Sequence, residues 1–323
     1  GPPIDPTDAY FYSRQWNMRA IEADEAWEAK RLGSADVTVA ILDTGIDYTY
    51  PDLDGLVDLS RSISFVPSDD YLVYTIFPGK HYVTDLRYHG THVAATVASN
   101  ALVAAGVTSK TTLIGVKVCN VNGSCPFSSI IAGVLHAADN GADIANMSLG
   151  GSFMRPGSEG LVGYIARTFN YAKKANMIVV VSAGNDALDL DYDPSLYNRY
   201  CDAPNTICVS ATAPTYGVSV DGPWVDVDAP APYTNYGVSA ISVAAPGGAY
   251  IANDAGWVWA ACSQTSLVRT YCQTGTYVLG ASGTSMAAPH VTGLAALVVE
   301  DVGPVPVKVK KLIEKTADDL GQE

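Results

Sequence analysis

"DVTVAILD", residues 36–43, carries apolar side chains on both of its alternating faces and ends in an acid. A strand patterned in this way is covered on both sides, as in a parallel sheet held between helical layers. The chain downstream keeps that rhythm. "THVAATVAS" (91–99) reads as a helix, "TLIGVKV" (112–118) as a strand, and "SSIIAGVLHAADNGA" (128–142) as a second helix. "DIANMSLGG" (143–151), "MIVVVSAGN" (177–185) and "NTICVSAT" (205–212) read as further strands, with a helix over 161–176 between the first two. Strands alternating with helices of this length imply right-handed crossovers, hence an α/β fold in three layers with a mainly parallel central sheet flanked by helices. After residue 212 the rhythm weakens. "VDGPWVDVDAPAPYTNYG" (220–237) reads as loop or short hairpin, two β-like runs follow at 250–262 and 269–280, and 305–320 has the pattern of an amphipathic helix. No linker, repeat or low-complexity tract divides the chain, so one domain over 1–323 is expected, with an N-terminal arm over about 1–20.

The balance of charge narrows the partners. Nineteen Lys and Arg against 33 Asp and Glu give a net charge of −14, and no basic block is long enough to track a phosphate backbone, which argues against nucleic acid. Apolar runs such as "MIVVV" (177–181) fall far short of the roughly 20 residues that span a bilayer. The six cysteines fall into near neighbours: Cys119 with Cys125, Cys201 with Cys208, Cys262 with Cys272. Without the tight spacings of a zinc site, three local disulfides formed in an oxidising, extracellular compartment are expected, although six cysteines allow 15 pairings and six reduced thiols are the alternative.

Sites in open parallel sheets lie beyond the carboxyl ends of the strands. Asp43, the "SLGG" of 148–151 and Asn185 each stand where a strand finishes. In "GTSMAAPHVTG" (283–293), Ser285 stands among small residues at the start of a helical pattern, where a hydroxyl is accessible and gains the positive potential of a helix N-terminus. Serine nucleophiles need a base, a carboxylate that orients it, and donors for the developing oxyanion. His89 or His92 of "HGTH", Asp43 and Asn185 supply those types. Taken singly, each has a plainer role as turn residue, helix cap or half of a metal site.

"DTGID", "HGTH", "NMSLGG", "SAGN" and "GTSMAAPHVTG", in this order, resemble the subtilisin-like serine proteases, the subtilases, from about residue 15 to about 315. The resemblance implies Asp43, His89 and Ser285 as a triad, with Asn185 donating to the oxyanion and His92 left structural; the chain order Asp, His, Ser is that of subtilisin itself. It implies a secreted endopeptidase acting on proteins or peptides, a monomer, with an inhibitory propeptide in the precursor. An extended peptide would pair with Gly123, Ser124 and Cys125 on one side and Ser148, Leu149 and Gly150 on the other, while Ser182, Ala183 and Gly184 would border the primary pocket. No cofactor is expected for catalysis. Structural Ca²⁺ is expected, with Asp52 of "YPDLDG" matching a frequent ligand position, although the loop after His92 looks too short to complete that site. The acidic loop over 186–200 departs from the family pattern and reads as a basic-side-chain selector, a cation site or a solvated loop. Asn122 and Asn146 lie in N-x-S/T sequons, the second in a buried strand. A peptide-binding protein that has lost catalysis, and an esterase or amidase on small substrates, are the competing functions.

Overall fold

A computed structural model describes residues 5–320. Thr38–Asp43 lies inside a sheet whose order, by strand, is Ala229–Pro230, Thr206–Ala213, Ile178–Ser182, Ile144–Met147, Thr38–Asp43, Thr112–Lys117 and Ile63–Ser64, with Val243–Pro246 also paired to Thr206–Ala213. All pairings in this sheet are parallel except that of Ala229–Pro230. Thr38–Asp43, Ile144–Met147, Ile178–Ser182 and Thr206–Ala213 are buried at every residue, as strands covered on both faces are.

Alternation then divides the core in two. Val39, Ile41, Val180 and Val209 pack on one face beneath the helices His89–Val97 and Thr284–Val302. Ala40, Leu42, Val116 and Val181 pack on the other against Phe127–Asp139 and Glu159–Lys174. The sheet and its two helical faces give the expected three-layer arrangement.

Some local structure departs from the sequence reading. The acidic 186–200 stretch contains a strand, Leu196–Arg199, that pairs antiparallel with Gly151–Met154. The strand expected over 143–151 therefore splits: Ile144–Met147 stays in the central sheet and Gly151–Met154 leaves it. A helix at Pro67–Ile76, opened by its proline, adds a further element. The β-like runs near 250–280 form one antiparallel pair, Val258–Ala261 with Val278–Ala281.

Candidate active site

Asp43 is the last residue of its strand and 1% exposed. His89 opens the helix His89–Val97, and its Nδ1 donates to the Asp43 carboxylate, at 2.8 Å from Oδ1 and 2.9 Å from Oδ2. Holding Nδ1 inward leaves Nε2 as the free ring nitrogen. Helix and turn meet closely enough that a Cβ at Gly90 would overlap the Gly45 carbonyl oxygen, which explains the glycine of "HGTH". Burial alone would lower the His89 pKa; the Asp43 charge and hydrogen bond, with Asp85 behind them, outweigh it and hold the pKa above its ordinary value.

Asp85 is a member of this site that sequence reasoning missed. Fully buried, its Oδ1 accepts from the Thr44 hydroxyl at 2.9 Å and from the Arg87 and Tyr88 amides, while its Oδ2 accepts from the Thr91 amide and from the Thr91 hydroxyl at 2.7 Å. Thr44 follows Asp43, and its hydroxyl accepts the Gly90 amide at 3.0 Å. One carboxylate thus ties the Asp43 turn to both flanks of His89. The signal in the sequence was an acid four residues before the histidine, indistinguishable there from a surface loop.

Ser285 stands in the first turn of Thr284–Val302. Gly283, at φ 149°, turns the chain into the helix, and the Ser285 amide has no acceptor among the described residues. The Ser285 hydroxyl donates to the Ser148 carbonyl at 3.2 Å, and no hydrogen bond joins it to His89. In return the Ser148 hydroxyl donates to the Ser285 carbonyl at 2.8 Å. That carbonyl is free because Pro289, four residues on, has no N–H. Asn185 completes the cluster. Its Oδ1 accepts the Thr284 amide and hydroxyl at 2.8 and 2.9 Å, so its Nδ2 is the group left to donate.

A cleft brings Asp43 and His89 together with both segments expected to bind substrate, and Ser285 meets its wall through Ser148. Asp43, His89, Gly123, Cys125, Ser148, Leu149 and Gly150 line it, along with Arg87, Cys119 and Tyr200. Ser124 shapes the same wall through its carbonyl, which accepts the Asn120 amide. Three disulfides join Cys119 to Cys125, Cys201 to Cys208 and Cys262 to Cys272, and the first braces that wall. Ser182 and Ala183 are buried, and the Gly184 amide donates to the Thr284 hydroxyl, so this segment supports Asn185 from behind. None of Asp186, Asp189, Asp191 and Asp193 lines the cleft. His92 is buried beneath the site, its Nε2 donating toward the Val258 and Leu279 carbonyls. Asn146 is fully buried and bonded to Ser148 and Thr292.

Asp52 is turned onto backbone amides. Its Oδ1 accepts the Leu102 and Val103 amides and its Oδ2 the Ala104 amide, all within 2.9 Å. Three N–H donors thus share the two oxygens, and a cation would have to compete with them. Among the described residues no group of three or more acids, histidines or cysteines is arranged to hold a metal.

An oriented imidazole, a serine at a helix N-terminus and an amide donor, all at the carboxyl edge of a parallel sheet, define the class as serine hydrolase. The chain belongs to the subtilase family, whose model matches residues 34–323. It is 33% identical over 318 residues to a thermophilic serine proteinase of a Bacillus species, strain AK1, covering 98% of this chain and 64% of that protein. Thermitase of Thermoactinomyces vulgaris is 32% identical over 318 residues, covering 98% of this chain and 92% of thermitase. Among solved structures, a cold-adapted subtilisin-like serine proteinase superposes with a TM-score of 0.60 at 26% identity, over 88% of this chain and 83% of that one. No helix among the described residues is long and apolar enough to cross a membrane.

Proposed function

We propose that this chain is a secreted serine endopeptidase that hydrolyses peptide bonds through an acyl-enzyme on Ser285. The observation that carries the reading is the pairing of His89 Nδ1 with both oxygens of buried Asp43, beside a cleft whose wall residue Ser148 is hydrogen-bonded to Ser285. In this reading the Ser285 hydroxyl rotates from the Ser148 carbonyl to His89 Nε2, a staggered rotamer change about one bond. His89 takes the proton as Oγ attacks the peptide carbonyl, and Asp43 stabilises the resulting imidazolium. The Ser285 amide and Asn185 Nδ2 donate to the carbonyl oxygen as it becomes negative. His89 then protonates the leaving amine and activates the water that frees the acyl group. Backbone pairing along 123–125 and 148–150 accounts for a peptide substrate. Three disulfides favour an oxidising compartment. The family resemblance extends the reading to a monomer made with an inhibitory propeptide.

The test is digestion of casein and of a peptide library by the protein and by Ser285→Ala, with fluorophosphonate labelling in parallel. Cleavage by the parent alone and label on Ser285 are expected. Equal residual cleavage in both proteins, with no label, would remove the reading.

A further inference from the structure

Arg87 stands two residues before His89 and lines the same cleft. Its Nη1 donates to the Val121 carbonyl at 3.0 Å, which draws the side chain across the 119–125 loop. A Cβ placed on Gly123 would lie 3.2 Å from the guanidinium carbon, so this group roofs the backbone of the cleft wall. The Arg87 backbone is also held, its amide by Asp85 Oδ1 at 2.9 Å and its carbonyl by the Ser266 hydroxyl. The charge is therefore fixed at one place on the rim.

That charge lacks an internal counterpart. Among the described residues no carboxylate forms an ion pair with Arg87. Asp85, the nearest acid in sequence, directs its oxygens to the Thr44 and Thr91 side chains and to backbone amides. Asp43, the acid in the lining, is bound to His89. A second guanidinium, Arg269, lies 5.1 Å from the centre of the Tyr88 ring, and Arg87 lies 5.6 Å from the same ring. In a chain of net charge −14, these two cations gathered on the ring of Tyr88, the residue before His89, are a positive feature for an acidic side chain of an incoming peptide.

We propose that Arg87 is a specificity-determining residue, selecting peptides that carry Asp or Glu in the stretch running along Gly123–Cys125 toward His89. The inference rests on the peptidase reading above. A guanidinium offers a planar fork that meets a carboxylate with two parallel N–H groups, and with Nη1 on Val121 the remaining N–H groups are available for it. Partial exposure limits the gain to a preference on the order of tenfold, weakening as salt rises.

The test uses the whole protein and fluorogenic peptides that share one cleaved bond and carry Glu, Gln or Lys at one position at a time. At one position Glu is expected to exceed Gln in kcat/KM by about tenfold, and Lys by more. Arg87→Gln should abolish that ratio, Arg87→Lys should keep its sign and Arg87→Glu should invert it, each variant normalised by fluorophosphonate titration of Ser285. Identical Glu-to-Lys ratios in the parent and Arg87→Glu would overturn the proposal while cleavage and labelling leave the peptidase reading standing. A uniform loss over all peptides in Arg87→Gln, with ratios unchanged, would mark Arg87 as a strut for the Val121 loop and overturn it too. No cleavage of any peptide and no label would defeat the peptidase reading, and this inference with it.

Discussion

Ser148 and Ser285 exchange hydrogen bonds in both directions, hydroxyl to carbonyl, at 2.8 and 3.2 Å. Behind them the contacts continue into the core: Asn146 Nδ2 donates to the Ser148 hydroxyl, and the Thr292 hydroxyl donates to Asn146 Oδ1. The Ser285 backbone is thus anchored to a central strand through side chains. Ser148→Ala removes the donor on a carbonyl that Pro289 cannot serve, which costs about 1–3 kcal/mol. The serine it positions is expected to lose about 10- to 100-fold in kcat, as a small displacement of a reacting group does. Urea unfolding of the fluorophosphonate-inhibited protein and steady-state kinetics measure the two effects; an unchanged unfolding midpoint and unchanged kcat would contradict the anchoring.

Asn185 is exposed, yet its amide is not free to flip, because Thr284 occupies Oδ1 with two donors. This orientation predicts different outcomes for two substitutions. Asn185→Ala removes the oxyanion donor and should lower kcat by about 10²- to 10³-fold, a magnitude carried over from subtilisin. Asn185→Asp keeps an acceptor for Thr284 but sets a negative charge where negative charge develops, so its kcat should fall at least as far with the fold retained. Circular dichroism and burst-phase acylation measure this; an Asp variant faster than Ala would place Asn185 outside the oxyanion site.

Asp85 acts on His89 by geometry and by charge. In the peptidase reading catalysis needs neutral His89 as the base, so kcat/KM should rise with pH through its pKa, and raising that pKa moves the acid limb upward. Asp85→Asn removes one of the charges that raise it. The acid limb should therefore shift to lower pH, while kcat falls at the plateau because the Thr44 and Thr91 ties are weakened. A pH profile of kcat/KM separates this from general destabilisation, which would lower the plateau and leave the limb in place.

The residues that could be read in the sequence and those that could not differ in what fixes them. Strands such as Ile178–Ser182 announce themselves because burial on both faces makes nearly all of their positions apolar. Asp43, His89, Asn185 and Ser285 were legible as a set because each stands at the end or start of an element and each lies inside a distinctive motif. Asp85 and Asp52 were not, since their roles depend on Thr44 and Thr91 in one case and on the returning loop at 102–104 in the other. The run over 143–151 misled because Ser148–Gly150 carries no proline or charge to mark the point where the chain leaves the sheet to form a cleft wall.

Asp52 joins its loop to the body through three amide bonds. Chelation by EDTA should therefore leave proteolytic nicking within 99–105 unchanged, whereas Asp52→Ala should open that loop and destabilise the protein by about 3 kcal/mol or more. The pH dependence carries a second signature. Burial, against those amide bonds, raises the Asp52 pKa to about 6, so its favourable contribution is complete below its unfolded value and is lost as pH rises through about 6. His92 and His290 have the opposite sign: burial lowers both to about 4, so stability is lost as pH falls from about 6.5 toward 4. Each shift is worth on the order of 3 kcal/mol, and two histidines outweigh one acid. Inactive Ser285→Ala protein should therefore lose stability between pH 7 and 4.5 in urea, and the further change Asp52→Asn should steepen the loss by removing the opposing contribution. Equal slopes for the two proteins would show that Asp52 titrates in the folded chain as it does in the unfolded one.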